Sequence, residues 1–171
     1  MDKLKLWFIG LLWKGEATIR MNVKIYSREA VSQLLNAGSF PENTAVISFY
    51  DPPDGKRKSM GKVDYSSTSA KVFYVPARDI DPPVLTQEGL TYDDYFPEAD
   101  ELAAFILQVE KDGLSIICQC ESGQSRSAAC AAAIRQHFHK DGIEIFADYR
   151  YYPNQMIYHK VFEALERAEN R

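Results

Sequence analysis

A cysteine, an arginine and a serine lie close together in residues 118–127, whose sequence is Cys-Gln-Cys-Glu-Ser-Gly-Gln-Ser-Arg-Ser. Cys120 precedes Arg126 by six residues, and Ser127 follows the arginine directly. A cysteine thiolate is a strong nucleophile, and the planar guanidinium of arginine can hold two phosphoryl oxygens at once. Together these residue types indicate nucleophilic attack on a phosphate ester.

The residues on either side supply the elements that would position this chemistry. Leu114–Gln119 is a short apolar run after the turn-forming pair Asp112-Gly113, which is typical of a buried strand. Ser127–Phe138 is rich in alanine, the strongest helix former. The small, polar residues between them allow backbone N–H groups to converge on an anion at a helix N-terminus. We therefore predict that phosphate is bound by Glu121, Ser122, Gly123, Gln124, Ser125 and Arg126.

Each reactive residue would have a separate task. Cys120 would face the helix N-terminus, the loop amides and Arg126, all of which favour a thiolate. The thiolate would attack phosphorus and form a phosphocysteine intermediate. Arg126 would stabilise charge in the transition state, and Ser127 would hydrogen-bond the sulfur as it departs.

Cys120–Ser127 resembles the signature loop of the protein tyrosine phosphatase superfamily: cysteine, five residues, arginine, then serine or threonine. The surrounding architecture is similar to the small dual-specificity-like branch, including its bacterial and phage-type members. The similarity extends over roughly residues 22–168, with the signature loop as its most specific part. Its other parts are Thr44–Pro53, Tyr92–Ile106 and the Pro-Asn pair before the last helix. The resemblance implies a metal-independent hydrolase that needs no cofactor.

Enzymes of this kind use a carboxylic acid on an upstream loop to protonate the leaving group. The segment Arg78-Asp79-Ile80-Asp81-Pro82-Pro83 follows a strand-like run and carries two candidates. By resemblance, Asp79 occupies the position of the acid, and Asp81 is the second choice. Asp93 and Asp94 rank behind them, because they are expected to help start the following helix.

The sequence departs from the superfamily pattern at Gln119, where a histidine usually precedes the nucleophile. Glutamine can donate and accept hydrogen bonds but cannot carry a positive charge. Glu121 adds a negative charge beside Cys120 and is expected to face solvent. These differences still predict a working enzyme.

Length and composition fit a single domain that can bury a hydrophobic core. The chain has 171 residues, 46% of them hydrophobic, and a net charge of −4, which argues against nucleic-acid binding. Its three cysteines, an odd number without metal-ligand spacing, suit a reducing cytoplasm, and Cys118 and Cys130 are expected to be core residues. The basic run Lys56–Lys58 is interpreted as a solvated loop that could instead lie beside the cleft.

Strands alternate with helices along the chain, which predicts an α/β single domain with a mostly parallel central sheet flanked by helices. The phosphate-binding loop would lie at a strand's carboxyl end. Residues 21–171 would form the catalytic domain and residues 1–20 an N-terminal extension. The apolar run Leu6–Trp13 in that extension is too short to span a bilayer.

The residues leave alternatives open. A catalytically weak phosphate- or phosphopeptide-binding module would keep the loop without turnover, with Gln119 marking the loss. A rhodanese-like sulfurtransferase or an arsenate reductase would also use a loop cysteine. The favoured function is a phosphatase acting on a phosphorylated protein or small phosphate monoester, with phosphotyrosine, alone or with phosphoserine and phosphothreonine, as substrate. The sequence does not predict the oligomeric state.

Overall fold

A computed structural model describes residues 20–53 and 59–170. The predicted N-terminal extension, apart from Arg20, and the basic run Lys56–Lys58 lie outside these ranges. Within them no helix is long and apolar enough to cross a membrane.

Strands and helices alternate through most of the described chain. Their order is β1 (Val23–Ser27), α1 (Arg28–Asn36), β2 (Thr44–Phe49), β3 (Lys71–Val75), α2 (Pro82–Gln87), α3 (Ala99–Lys111), β4 (Ser115–Cys120), α4 (Arg126–His139), α5 (Ile143–Ala147) and α6 (Gln155–Glu169).

The four strands form one sheet in the order β1-β4-β2-β3, and every neighbouring pair is parallel. The predicted α/β class with a mostly parallel sheet is confirmed. Because all carboxyl ends meet at one edge, Cys120 at the end of β4 lies beside Ser27 at the end of β1. Gln119 pairs in register with Ser48 of β2 on the other side.

Strand β4 is covered on both faces, which explains its nearly continuous apolar sequence. Ile116, Cys118 and Cys120 point into the main core beneath α3, α4 and α6. Ile117 points the other way, into a smaller cluster. The buried members of that cluster are Val31, Val46, Val63, Tyr65 and Ile117. Cys120 and Gln119 therefore face opposite layers.

The cap-forming Ser27 and the helix-ending Gly38 predict a helix over Arg28–Asn36, and α1 has these bounds. Ser27 caps α1 as expected, with its Oγ accepting a hydrogen bond from the N–H of Ala30 at 3.1 Å. The segment after Asp81 was predicted as loop and instead forms α2, because Pro82 and Pro83 occupy first-turn positions where a missing N–H costs nothing. Helix α5 was not predicted either.

Candidate active site

The loop between β4 and α4 is pressed against the junction of β1 and α1. Gly123 has φ +72°, and a Cβ added there would lie 2.7 Å from the backbone N of Ser27, closer than real side chains approach. The N–H of Arg28 also donates to the carbonyl of Glu121 at 3.2 Å. Only glycine fits this combination of left-handed backbone and close approach. The loop is therefore fixed by the backbone behind it.

Cys120 lies at the base of this loop and is only 1% exposed. Its Sγ is 3.0 Å from the Oγ of Ser127, and the N–H of Gly123 donates to it at 3.3 Å. The sequence predicted the contact with Ser127. The two contacts hold the sulfur between the loop and the first turn of α4.

Arg126 is the first residue of α4, and its guanidinium is buried. One terminal nitrogen donates to the Oδ1 of Asp51 at 2.8 Å and to the carbonyl of Ala77 at 2.9 Å. The Nε is buried as well, yet it has no hydrogen-bond partner among the described residues. A buried donor without an acceptor is costly, so its persistence points to a ligand that supplies the acceptor.

Of the two predicted acids, the structure brings Asp79 to the loop. Its Oδ1 accepts hydrogen bonds from the Oγ of Ser125 at 2.7 Å and from the Nδ2 of Asn154 at 3.0 Å. Asn154 also caps α6 through its Oδ1, which accepts from the N–H of Ile157 at 3.1 Å. Asp81 instead lies at the N-cap position of α2 with an exposed side chain.

The lower-ranked candidates lie in a turn before α3 rather than at its first residue. The Oδ2 of Asp94 accepts from the N–H and the Oγ of Thr91, at 3.0 and 2.6 Å. These hydrogen bonds keep the pKa of Asp94 below its usual value. Helix α3 begins only at Ala99, so the expectation that Asp93 and Asp94 start this helix was wrong.

Two residues of the site were missed from the sequence. Asp51, which binds Arg126, follows β2 by two positions and lies in the segment Thr44–Pro53, for which the sequence predicted no catalytic residue. Asn154 belongs to the Pro-Asn pair expected before the last helix, but the sequence did not predict it as a partner of Asp79. The position of Asp51 just after a strand could have identified it, because polar residues just beyond the carboxyl ends of parallel strands lie close together.

Solved structures share this architecture over almost the whole chain. PTPMT1 in complex with PI(5)P is 15% identical, with 90% of this chain and 96% of that chain covered and a TM-score of 0.52. A second PTPMT1 structure is 16% identical, covering 90% and 98%, with a TM-score of 0.50. A point variant of human DUSP28 is 15% identical, covering 89% and 94%, with a TM-score of 0.51. No protein-family model and no curated protein matches the chain.

The chain has the protein tyrosine phosphatase fold. The resemblance expected from the signature loop is thus confirmed at the level of architecture. At these identities the likeness concerns the fold, so the chemistry must be argued from the side chains.

Gln119 stands where protein tyrosine phosphatases usually have histidine, and it is fully buried. Its Oε1 accepts from the Oγ of Ser48 at 2.6 Å and from the hydroxyl of Tyr65 at 3.2 Å. Its Nε2 donates to the carbonyl of Cys120 at 2.8 Å. Burial raises the pKa of Tyr65 well above its usual value, so its hydroxyl keeps the proton that it donates. Gln119 thus joins the carboxyl end of β4 to β2 and to the segment before β3 without carrying charge.

Glu121 faces outward, as expected. Its carboxylate forms an ion pair with Arg28, with Nε and Oε2 2.7 Å apart, and its side chain is 48% exposed. Arg28 also donates to the carbonyl of Gly61 at 2.6 Å. Ser122 and Gln124 are exposed too, and the Oγ of Ser122 accepts from the N–H of Gln124 at 3.2 Å. These loop residues can therefore bind phosphate through their backbone N–H groups rather than through charged side chains.

The remaining cysteines are core residues, as predicted. Cys118 and Cys130 are completely buried. Burial and a hydrogen bond with Cys130 raise the pKa of the Cys118 thiol well above its usual value. Cys118 therefore stays a neutral thiol beneath the loop.

Proposed function

We propose that this chain is a cysteine-dependent phosphatase that hydrolyses phosphate monoesters through a phosphocysteine intermediate. The observation that carries the proposal is the buried Nε of Arg126, which has no hydrogen-bond partner in the described part of the chain and lies at the end of the loop that holds the Cys120 sulfur. A bound phosphoryl group would supply the missing acceptor and lie beside the nucleophile. The substrate class is phosphotyrosine, alone or with phosphoserine and phosphothreonine.

The reaction has two steps. In the first, the Cys120 thiolate forms a bond to phosphorus while the bond to the ester oxygen breaks, and the leaving oxygen takes a proton from Asp79. In the second, water attacks phosphorus and gives its proton to the Asp79 carboxylate, and the sulfur departs with the bonding electrons. The Ser127 hydroxyl, 3.0 Å from the sulfur, donates to it as negative charge returns.

The surroundings of Asp79 support its role as the acid. Two donors hold Oδ1, so a proton would reside on Oδ2. One of those donors belongs to the signature loop and the other to the cap of α6, so the carboxyl group is oriented from two sides.

The mechanism uses no metal, and the three free thiols favour a reducing compartment such as the cytoplasm. We assign the catalytic domain to residues 21–171.

Aryl phosphates with different leaving groups test this assignment. Asp79→Asn should lower kcat/KM by about 10²–10⁴-fold, the usual contribution of a general acid. The loss should be larger for phenyl phosphate than for p-nitrophenyl phosphate, because nitrophenolate leaves readily without a proton. Asp81→Asn is the matched control and should retain wild-type activity. A larger loss for Asp81→Asn, or a loss independent of the leaving group, would contradict the role of Asp79.

A phosphate-binding module without turnover is the second candidate. It is favoured by the uncharged Gln119 in place of histidine and by the low exposure of Cys120. Such a module would bind vanadate or a phosphopeptide through Arg126 and the loop amides but release no phosphate. Turnover that depends on Cys120 would exclude it.

A further inference from the structure

The hydrogen bonds from Arg126 to Asp51 and Ala77 occupy both N–H groups of one terminal nitrogen of the guanidinium. This Nη1 carries two hydrogens, one for the carboxylate of Asp51 and one for the carbonyl of Ala77. Both acceptors come from just beyond the carboxyl ends of adjacent strands, Asp51 after β2 and Ala77 after β3. The opposite edge of the guanidinium, formed by Nε and the other terminal nitrogen, is the edge that can take two phosphoryl oxygens.

The backbone on both sides of Asp51 is fixed. The N–H of Tyr50 donates to the carbonyl of Val75 at 3.0 Å, which continues the β2–β3 pairing beyond β2. The hydroxyl of Ser59 donates to the carbonyl of Asp51. The Asp51 carboxylate is therefore attached to a constrained backbone segment, although half of the Asp51 side chain is exposed.

We propose that Asp51 is a positioning residue that turns the Nε edge of Arg126 toward the phosphoryl group. This inference rests on the proposed oxyanion site around Arg126. Without the carboxylate, the guanidinium would keep only the Ala77 carbonyl as an anchor among residues 20–53 and 59–170, and it could rotate about its side chain. The edge that meets the phosphoryl oxygens would then no longer be fixed before the substrate binds.

Substituting Asp51 with asparagine or with alanine distinguishes a positioning role from an effect of its negative charge alone. Asp51→Asn keeps an Oδ1 that can accept from Arg126, and it removes a negative charge near the incoming anion. Asp51→Ala removes the acceptor itself. A positioning role therefore predicts that alanine is damaging and that asparagine restores most of the activity.

The test measures kcat and KM for p-nitrophenyl and phenyl phosphate, and Kd for vanadate. Asp51→Ala should lower kcat/KM by roughly 10–100-fold, less than loss of a whole oxyanion donor, with most of the change in kcat. The loss should be equal for both substrates, since Arg126 stabilises the phosphoryl group and not the leaving oxygen. Vanadate should bind Asp51→Ala roughly tenfold more weakly.

Asp112→Ala is the matched control, because it removes an exposed carboxylate that pairs with Lys71 before the start of β4. Its kinetics and thermal unfolding midpoint provide the baseline. Asp51→Ala kinetics within about twofold of this control, or Asp51→Asn as impaired as Asp51→Ala, would overturn the positioning role. A loss confined to phenyl phosphate would instead make Asp51 a proton donor and also overturn it.

The two proposals can fail separately. If the wild type binds vanadate without turnover, the phosphatase proposal fails and the ratio of vanadate Kd values decides the role of Asp51. If the wild type turns over and Asp51→Ala matches Asp112→Ala, only the positioning role fails. If the wild type shows neither turnover nor binding, both are overturned.

Discussion

Replacing Gln119 with leucine tests the buried support behind the reactive cysteine. The substitution keeps the side-chain size but removes both hydrogen-bonding ends of the amide. The hydroxyls of Ser48 and Tyr65 would then lose their common acceptor, and the carbonyl of Cys120 would lose its side-chain donor. All three contacts are buried, so water cannot readily replace the amide.

The expected loss follows from those three groups. Each buried polar group left without a partner costs about 1–3 kcal/mol. Burying the more apolar leucine offsets about 2 kcal/mol of the total. Three such groups cost about 3–9 kcal/mol, so the net destabilisation is roughly 1–7 kcal/mol, compared with the ~5–15 kcal/mol that stabilises an ordinary domain. For a chain of this length, at about 2–4 °C per kcal/mol, it corresponds to a fall in Tm of roughly 2–30 °C.

Urea unfolding followed by circular dichroism, with calorimetry for Tm, measures this change. Gln108→Leu is the matched control, because Gln108 is exposed and its side chain makes one hydrogen bond to Asp112. The control should change the free energy of unfolding by less than about 0.5 kcal/mol. If Gln119→Leu is as stable as Gln108→Leu, the hydrogen bonds of Gln119 do not support the loop and the reasoning is refuted.

Two further substitutions probe the loop itself. Gly123→Ala should destabilise the protein by roughly 1–3 kcal/mol more than Gly38→Ala, measured by urea unfolding. Both residues have positive φ, but only at Gly123 would the added Cβ meet the backbone of Ser27, so equal losses would contradict the close approach. Ser127→Ala should slow breakdown of the phosphocysteine more than its formation, because Ser127 contacts the Cys120 sulfur. Stopped-flow assays should then show a burst of p-nitrophenolate before a slow steady state, and a proportional loss of both phases would contradict this role.

Local sequence patterns predicted those parts of the fold that local physics determines. The strand-like run expected before the acid-bearing segment is strand β3, Lys71–Val75, and Ser27 caps α1 as its hydroxyl suggested. Strand β4 ends at Cys120 and helix α4 begins at Arg126, as the change from an apolar run to alanines indicated within one residue. These features depend on neighbours in sequence.

Contacts between distant segments could not be predicted in the same way. Asp51 and Arg126 are 75 positions apart, and only the sheet order brings the end of β2 beside the loop. The choice between Asp79 and Asp81 also stayed open in the sequence. In the structure, Asp79 bonds to Ser125.

Hydrolysis of p-nitrophenyl phosphate in EDTA and reductant, by the wild type and by Cys120→Ser, tests the central claim most directly. The account predicts turnover by the wild type that survives the chelator, is blocked by vanadate and disappears in the variant. Turnover retained by Cys120→Ser would contradict the cysteine mechanism. A wild type that neither hydrolyses the ester nor binds vanadate would contradict the whole assignment of the loop.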